Sequence, residues 1–162
     1  MNAQDCRLPD LVFSFQMTIE SHCDGLWEAA ESIMRTVRTL PCVQGELHGL
    51  RMALVEALTN AVLHGNREDP AKTVDIFAGC DGHAQLLIAV TDQGDGFDPN
   101  ALPDPAAAEN LCESHGRGVF LMARLVDEVK FNLGGRQVVL RKRMAQQRRP
   151  IKAHDDINQE DV

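Results

Sequence analysis

The spacing of hydrophobic and polar positions changes several times along the chain, and each change marks an element. Residues 11–19 (LVFSFQMTI) alternate and carry Val and Phe, the pattern of a half-buried strand. Residues 24–40 then place Leu26, Ala29, Ala30, Ile33, Val37 and Leu40 at helical spacing, and Pro41 ends that helix. After a short turn at 43–45 comes the stretch around which the chain is organised, residues 51–66, RMALVEALTNAVLHGN. Between 52 and 63 its only polar side chains are Glu56, Thr59 and Asn60. No Pro or Gly interrupts it until Gly65, which stands where a helix C-cap glycine belongs. The stretch is predicted to be a helix. Leu47, Leu50, Leu54, Leu58 and Ala61 make one apolar stripe. Met52, Val55, Val62 and Leu63 carry apolar character round much of the rest, so burial nearly all round is expected. Glu56, Asn60 and His64 fall at i, i+4 and i+8, one slowly drifting polar stripe. An ionised carboxylate in such a setting needs a partner. The stripe therefore faces a site, or else it is one solvated edge.

Residues 67–72 read as a polar loop containing Pro70. Residues 73–80 and 83–91 are β-rich runs around Asp81-Gly82, a hairpin signal. Residues 92–118 are rich in Gly, Pro and Ala and cannot form one continuous element; loops of that length are functional or disordered. A helix is predicted over 119–128, then strands over 129–133 and 137–143 joined through Gly134-Gly135. From Met144 the pattern gives way to a polar tail, basic at Arg148, Arg149 and Lys152 and acidic at Asp155, Asp156, Glu160 and Asp161, expected to be disordered. The order β-α-α-β-β-α-β-β predicts an α+β two-layer sandwich, helices on one face of a mixed, mostly antiparallel sheet. One domain is expected over 1–143, with 144–162 as the tail.

Composition narrows the field. The 162 residues are 44% hydrophobic and 25% charged, ordinary for a soluble globular domain. No apolar run approaches the roughly 20 residues of a membrane span, and the N-terminus lacks a signal-peptide pattern, so a cytoplasmic protein without membrane attachment is expected. A net charge of −8 argues against nucleic acid as a direct partner. Five scattered cysteines without CxxC spacing argue against a disulfide framework or a zinc site and read as buried or incidental thiols.

Two glycine clusters carry candidate chemistry. Asp92-Gln93-Gly94-Asp95-Gly96 follows a strong strand. Glycines there let the backbone approach a ligand, and a carboxylate at a strand end can accept from an amine such as the 6-amino group of adenine. Alone, the pattern is above all a turn signal. Gly116-Arg117-Gly118 opens the predicted helix at 119. Free N–H groups at a helix start favour an anion, and Arg117 adds a charge suited to phosphate. A helix start without a ligand is the alternative. No GxxxxGK[ST] occurs, so a P-loop is excluded.

Taken together, E-x3-N-x3-H on a helix, DxGxG after a strand and GxG opening a helix resemble the GHKL ATPase superfamily. Within it, ALVEALTNAVLHGN, VTDQGDGFDP, ENL and HGRGVFLMARLVDEV resemble the bacterial anti-sigma-factor serine kinases. The resemblance covers about 11–142. It implies ATP and Mg²⁺ as cofactors, Glu56 as general base, Asn60 as Mg²⁺ ligand and Asp92 as adenine reader. It further implies Gly94 and Gly96 as the first glycine box, Gly116 and Gly118 as the second, and 99–115 as a lid over the phosphates. Arg117 suits the γ-phosphate, and His64 is either structural or close to phosphate. The chain departs from the family where threonine often stands near adenine: it carries Arg136 and Gln137, of which Gln137 can still donate. The first-helix arginine of some relatives falls at Ala30.

The function implied is an ATP-dependent kinase that phosphorylates a serine on a small anti-anti-sigma (STAS) partner and binds a sigma factor in its other state. The resemblance also admits a homodimer. The alternatives are a nucleotide-binding module that switches partners without phosphotransfer, and a detached histidine-kinase-type ATPase domain.

Overall fold

The computed structural model describes residues 11–45, 47–81, 84–98 and 117–144. Its elements run β1 (Leu11–Glu20), α1 (Leu26–Val37), α2 (His48–Thr59), a π-helical turn (Asn60–Gly65), β2 (Thr73–Asp81), β3 (Gln85–Thr91), α3 (Arg117–Leu125), β4 (Glu128–Asn132), a 3-10 turn (Leu133–Gly135) and β5 (Gln137–Arg143). The five strands form one sheet in the order β1-β2-β3-β5-β4. Every pairing among the described residues is antiparallel, so the sheet is simpler than the mixed one expected.

The core follows from the two periodicities. α1 buries Ala30, Ile33, Met34 and Val37, and α2 buries Leu50, Ala53, Leu54, Ala57 and Leu58, each set at helical spacing. They meet one face of the sheet, where Val74, Ile76 and Ala78 of β2, Leu86, Ile88 and Val90 of β3, and Val138 and Leu140 of β5 alternate inward. Each Leu or Ile so enclosed contributes about 1.5–3 kcal/mol. On the opposite face Leu87, Ala89 and Val139 form a small second cluster with Phe77. Gly49 lets α3 close on α2, since a Cβ there would lie 3.0 Å from the Leu125 carbonyl oxygen.

Several expectations change on this frame. Met52 is 40% exposed and Leu63 36%, so the central helix is not buried nearly all round. The third helix stops at Leu125, not 128. Asp127 N–H already donates to Arg141 O (3.0 Å), and Glu128 begins β4, gripped by Lys130 Nζ and Arg141 Nη1, each at 2.9 Å. Cys42 and Cys80 are joined in a disulfide, Cα atoms 5.9 Å apart. The bridge ties the turn after α1 to β2 across a separation of 38 residues, a pairing that spacing could not reveal. Met144, assigned above to the tail, is buried in the core, and its N–H donates to Ala84 O (2.9 Å). The remainder of the predicted tail lies outside the described residues, as does the predicted lid. No described helix is long and apolar enough to cross a membrane.

Candidate functional site

A cavity of about 400 Å³ opens between the C-terminal half of the central helix, the start of α3 and the ends of β3 and β5. Its inner wall is apolar: Ala57, Ala61, Val90, Met122, Phe131 and Val138. Asn60, His64, Arg67, Asp92, Asp95 and Asp98 supply the polar groups. A deep apolar slot with few polar groups suits a flat heterocycle that is fixed in orientation by one or two hydrogen bonds.

The helix reaches this cavity by changing pitch. From Asn60 it winds as a π-helix, and Asn66 N–H donates five residues back to Ala61 O (2.8 Å). Gly65 is therefore not a C-cap glycine: it lies inside the turn, and the left-handed residues are Arg67 (φ 58°) and Glu68 (φ 54°). Its lack of a side chain serves Asp92. A Cβ on Gly65 would stand 2.6 Å from Asp92 Oδ2 and 2.7 Å from Oδ1. π-turns recur at functional sites because they re-aim one face of a helix.

Asp92 extends β3 by one residue, its N–H donating to Arg136 O (2.9 Å). Gly94 N–H donates to its Oδ1 at 2.8 Å, leaving lone pairs of the carboxylate for a ligand donor. Burial pushes the Asp92 carboxyl above the usual aspartate range, against the opposing pull of that N–H and of the Arg136 guanidinium. Gly94 and Gly96 serve the backbone directly. A Cβ on Gly94 would strike the Gly65 carbonyl, and one on Gly96 (φ 75°) the Gly134 carbonyl. Phe97 N–H donates to Gly134 O (2.8 Å), and the Phe97 ring meets Phe131 edge-on with centroids 5.2 Å apart.

The turn is bolted to the helix by Asn66, fully buried, which the sequence reading passed over. Its Oδ1 accepts from Gln93 N–H (2.8 Å), its Nδ2 donates to Thr73 O (2.9 Å), and Gln93 Oε1 accepts from Thr73 N–H (3.0 Å). These partners are 7 to 27 residues apart in the chain, so no local pattern marks them.

At the other end, a Cβ on Gly118 would lie 2.8 Å from Glu56 Cδ. Glu56 thus sets its carboxylate against the start of α3, beside the cavity rather than in its wall. Gly118 itself lines the cavity. Of the residues singled out from sequence, the structure gathers Asn60, His64, Asp92, Gly96 and Gly118 on the cavity, with Gly94 holding Asp92 and Glu56 adjoining Gly118. Arg117 opens α3; its side chain and Gly116 lie outside the described residues. Gln137 is not brought to the site. On β5 it alternates with the inward Val138, so it shares the opposite face with Val139. There its Nε2 donates to Thr91 Oγ1 (2.9 Å) and its Oε1 accepts from Asn132 Nδ2 (3.1 Å).

An antiparallel sheet with helices on one face, and a slot between helix and sheet edged by DxGxG and by a glycine-opened helix, define the class. The chain belongs to the histidine kinase-like ATPase domain family, which matches residues 19–142. Among curated proteins it is similar to the serine-protein kinase RsbW of Bacillus subtilis, 34% identical over 91 residues that make up 52% of this chain and 56% of that protein. It is also similar to RsbW of Oceanobacillus iheyensis, 32% identical over 94 residues, 53% of this chain and 58% of that one. The chain spans little more than half the length of these relatives.

Proposed function

We propose that the protein is an ATP-dependent protein-serine kinase of the anti-sigma type, acting on a STAS-type anti-anti-sigma protein and binding a sigma factor in its alternative state. The observation that carries the nucleotide reading is Asp92: a carboxylate at the rim of an apolar slot, one oxygen fixed by Gly94 N–H, with room made for it by Gly65. Such an acceptor favours adenine, whose 6-position is a donor, over guanine, whose 6-position is an acceptor. The kinase reading draws on similarity to proteins named serine-protein kinase.

Glu56 is assigned as general base. It takes the proton from the attacking serine hydroxyl as the new Oγ–P bond forms and the bond between the γ-phosphorus and its bridging oxygen breaks, releasing ADP. Asn60 lines the cavity one turn further on and would hold Mg²⁺ through its carbonyl oxygen, the donor type that ion prefers. When bound, Mg²⁺ neutralises phosphate charge. Gly118, with Gly116 and Arg117, presents the start of α3 to the phosphates. His64 lines the same cavity and is either structural or close to the phosphates. The working unit is placed in residues 1–144, since Met144 belongs to the core, and in the cytoplasm.

The test is transfer of labelled phosphate from ATP to a serine of a cognate STAS protein. Transfer supports the kinase. ATP binding without transfer to any such partner favours a switch module that exchanges partners without chemistry.

A further inference from the structure

Arg67 and Asp95 are joined by an ion pair, Nη2 donating to Oδ2 at 3.2 Å, between side chains 76% and 86% exposed. So exposed a pair contributes little to folding. Yet the chain places it with care. Arg67 and Glu68 both take the left-handed conformation that L residues avoid, and Glu68 N–H closes the turn on Val62 O (2.9 Å). Backbone held in such a state concentrates at functional sites. The two ends of the pair leave from the same buried bolt: Arg67 follows Asn66, and Asp95 lies two residues beyond Gln93, which Asn66 binds. Both side chains line the cavity, and their exposure sets them at its mouth. They stand at the Asp92 end. Glu56 and Gly118, the partners at the α3 start, lie more than two turns back along the helix.

We propose that the Arg67–Asp95 pair is a strap across the mouth of the cavity, and that Arg67 is a positioning residue whose guanidinium plane lies against the purine ring of a bound adenine nucleotide. This rests on the nucleotide reading above. A planar, weakly hydrated guanidinium stacks on aromatic faces, whereas a lysine ammonium acts as a point charge. Asp95 keeps the plane over the slot instead of letting it reach for the phosphates.

The experiment is calorimetric titration of wild type, Arg67→Ala and Arg67→Lys with ATP, ADP and AMP in the presence of Mg²⁺, and with adenosine, with thermal unfolding as a folding control. Arg67→Ala is expected to weaken all four ligands by the same factor, roughly 3- to 30-fold. Arg67→Lys should not restore the loss, and the unfolding temperature should hold. Asp95→Asn should weaken binding in the wild-type background but not in Arg67→Ala. A loss that grows with the number of phosphates and is rescued by lysine makes Arg67 a phosphate contact and overturns the strap. Unchanged affinity in Arg67→Ala, or additive losses in the double variant, overturns it as well. Wild-type protein that binds none of the four ligands overturns the nucleotide reading itself, and the strap with it.

Discussion

Gly65 and Asp92 fit together as a missing side chain and the group that fills its place: the Cβ that Gly65 lacks would stand 2.6 Å from Asp92 Oδ2. A Gly65→Ala substitution should therefore act on binding more than on folding. Alanine favours a helical turn over glycine by about 1 kcal/mol, offsetting part of the clash. The carboxylate must swing aside, and ATP affinity should fall at least as far as in Asp92→Asn. Gly94→Ala sets a Cβ against the Gly65 backbone, which cannot swing, so it should lower the unfolding temperature markedly. Titration and thermal unfolding of both variants check the contrast.

Asp92 carries a cost to the fold that the proposed ligand role would explain. Its folded-state pKa is raised, so the folded protein binds that proton more tightly than the unfolded chain does. Stability then falls as pH rises from the ordinary aspartate value of 3.8 through the folded one, because the unfolded state loses the proton first. Asp92→Asn removes the charge and should unfold at a higher temperature than wild type at pH 7. The difference should fade as pH falls through that window. Unfolding temperatures of both proteins between pH 4 and 7 give the comparison; a gap that widens toward acid contradicts the assignment.

Asn66 holds helix, turn and sheet together with one side chain. Asn66→Ala leaves Gln93 N–H and Thr73 O, both part-buried, without their partner, at about 1–3 kcal/mol for each group left unsatisfied. Urea denaturation should show a loss of roughly 2–6 kcal/mol on that basis. Nucleotide affinity should fall too, since Asp92 and Asp95 flank Gln93.

What the chain discloses by itself divides along physical lines. Among the described residues, the period of apolar positions located all three α-helices and all five strands, because burial on one face imposes it. The helix stripe, the first glycine cluster and Gly118 pointed to residues that meet around one cavity. Contacts between segments distant in sequence stayed invisible. Gly65 looked like a cap because a cap glycine and a glycine making room for Asp92 are the same letter. Asn66 drew no notice at the end of the helical stretch because its partners lie on β2 and after β3. Gln137 was expected at the site because it stands near where related proteins carry threonine by the adenine, but a strand flips side every residue, and one position decides the face. Cys42 and Cys80 meet only once α1 lies on the sheet.

On the proposed function, Glu56 and Asn60 separate chemistry from binding. Glu56→Gln keeps shape and removes basicity; phosphotransfer should slow by roughly 10²–10⁴ while ATP affinity stays within a few-fold. Asn60→Ala should lose the Mg²⁺-dependent part of nucleotide affinity along with rate. Transfer assays paired with titrations, with and without Mg²⁺, read the two apart. Wild-type rates in Glu56→Gln would remove it from the role of base.

The most direct test of the account is calorimetric titration of the wild-type protein and Asp92→Asn with ATP and GTP, each with Mg²⁺. The cavity geometry predicts that wild type binds ATP and binds GTP much more weakly, and that Asp92→Asn loses about 1.5–3 kcal/mol of the ATP affinity, the range for a hydrogen bond to a charged group. Equal affinity of the wild-type protein for the two nucleotides would contradict it.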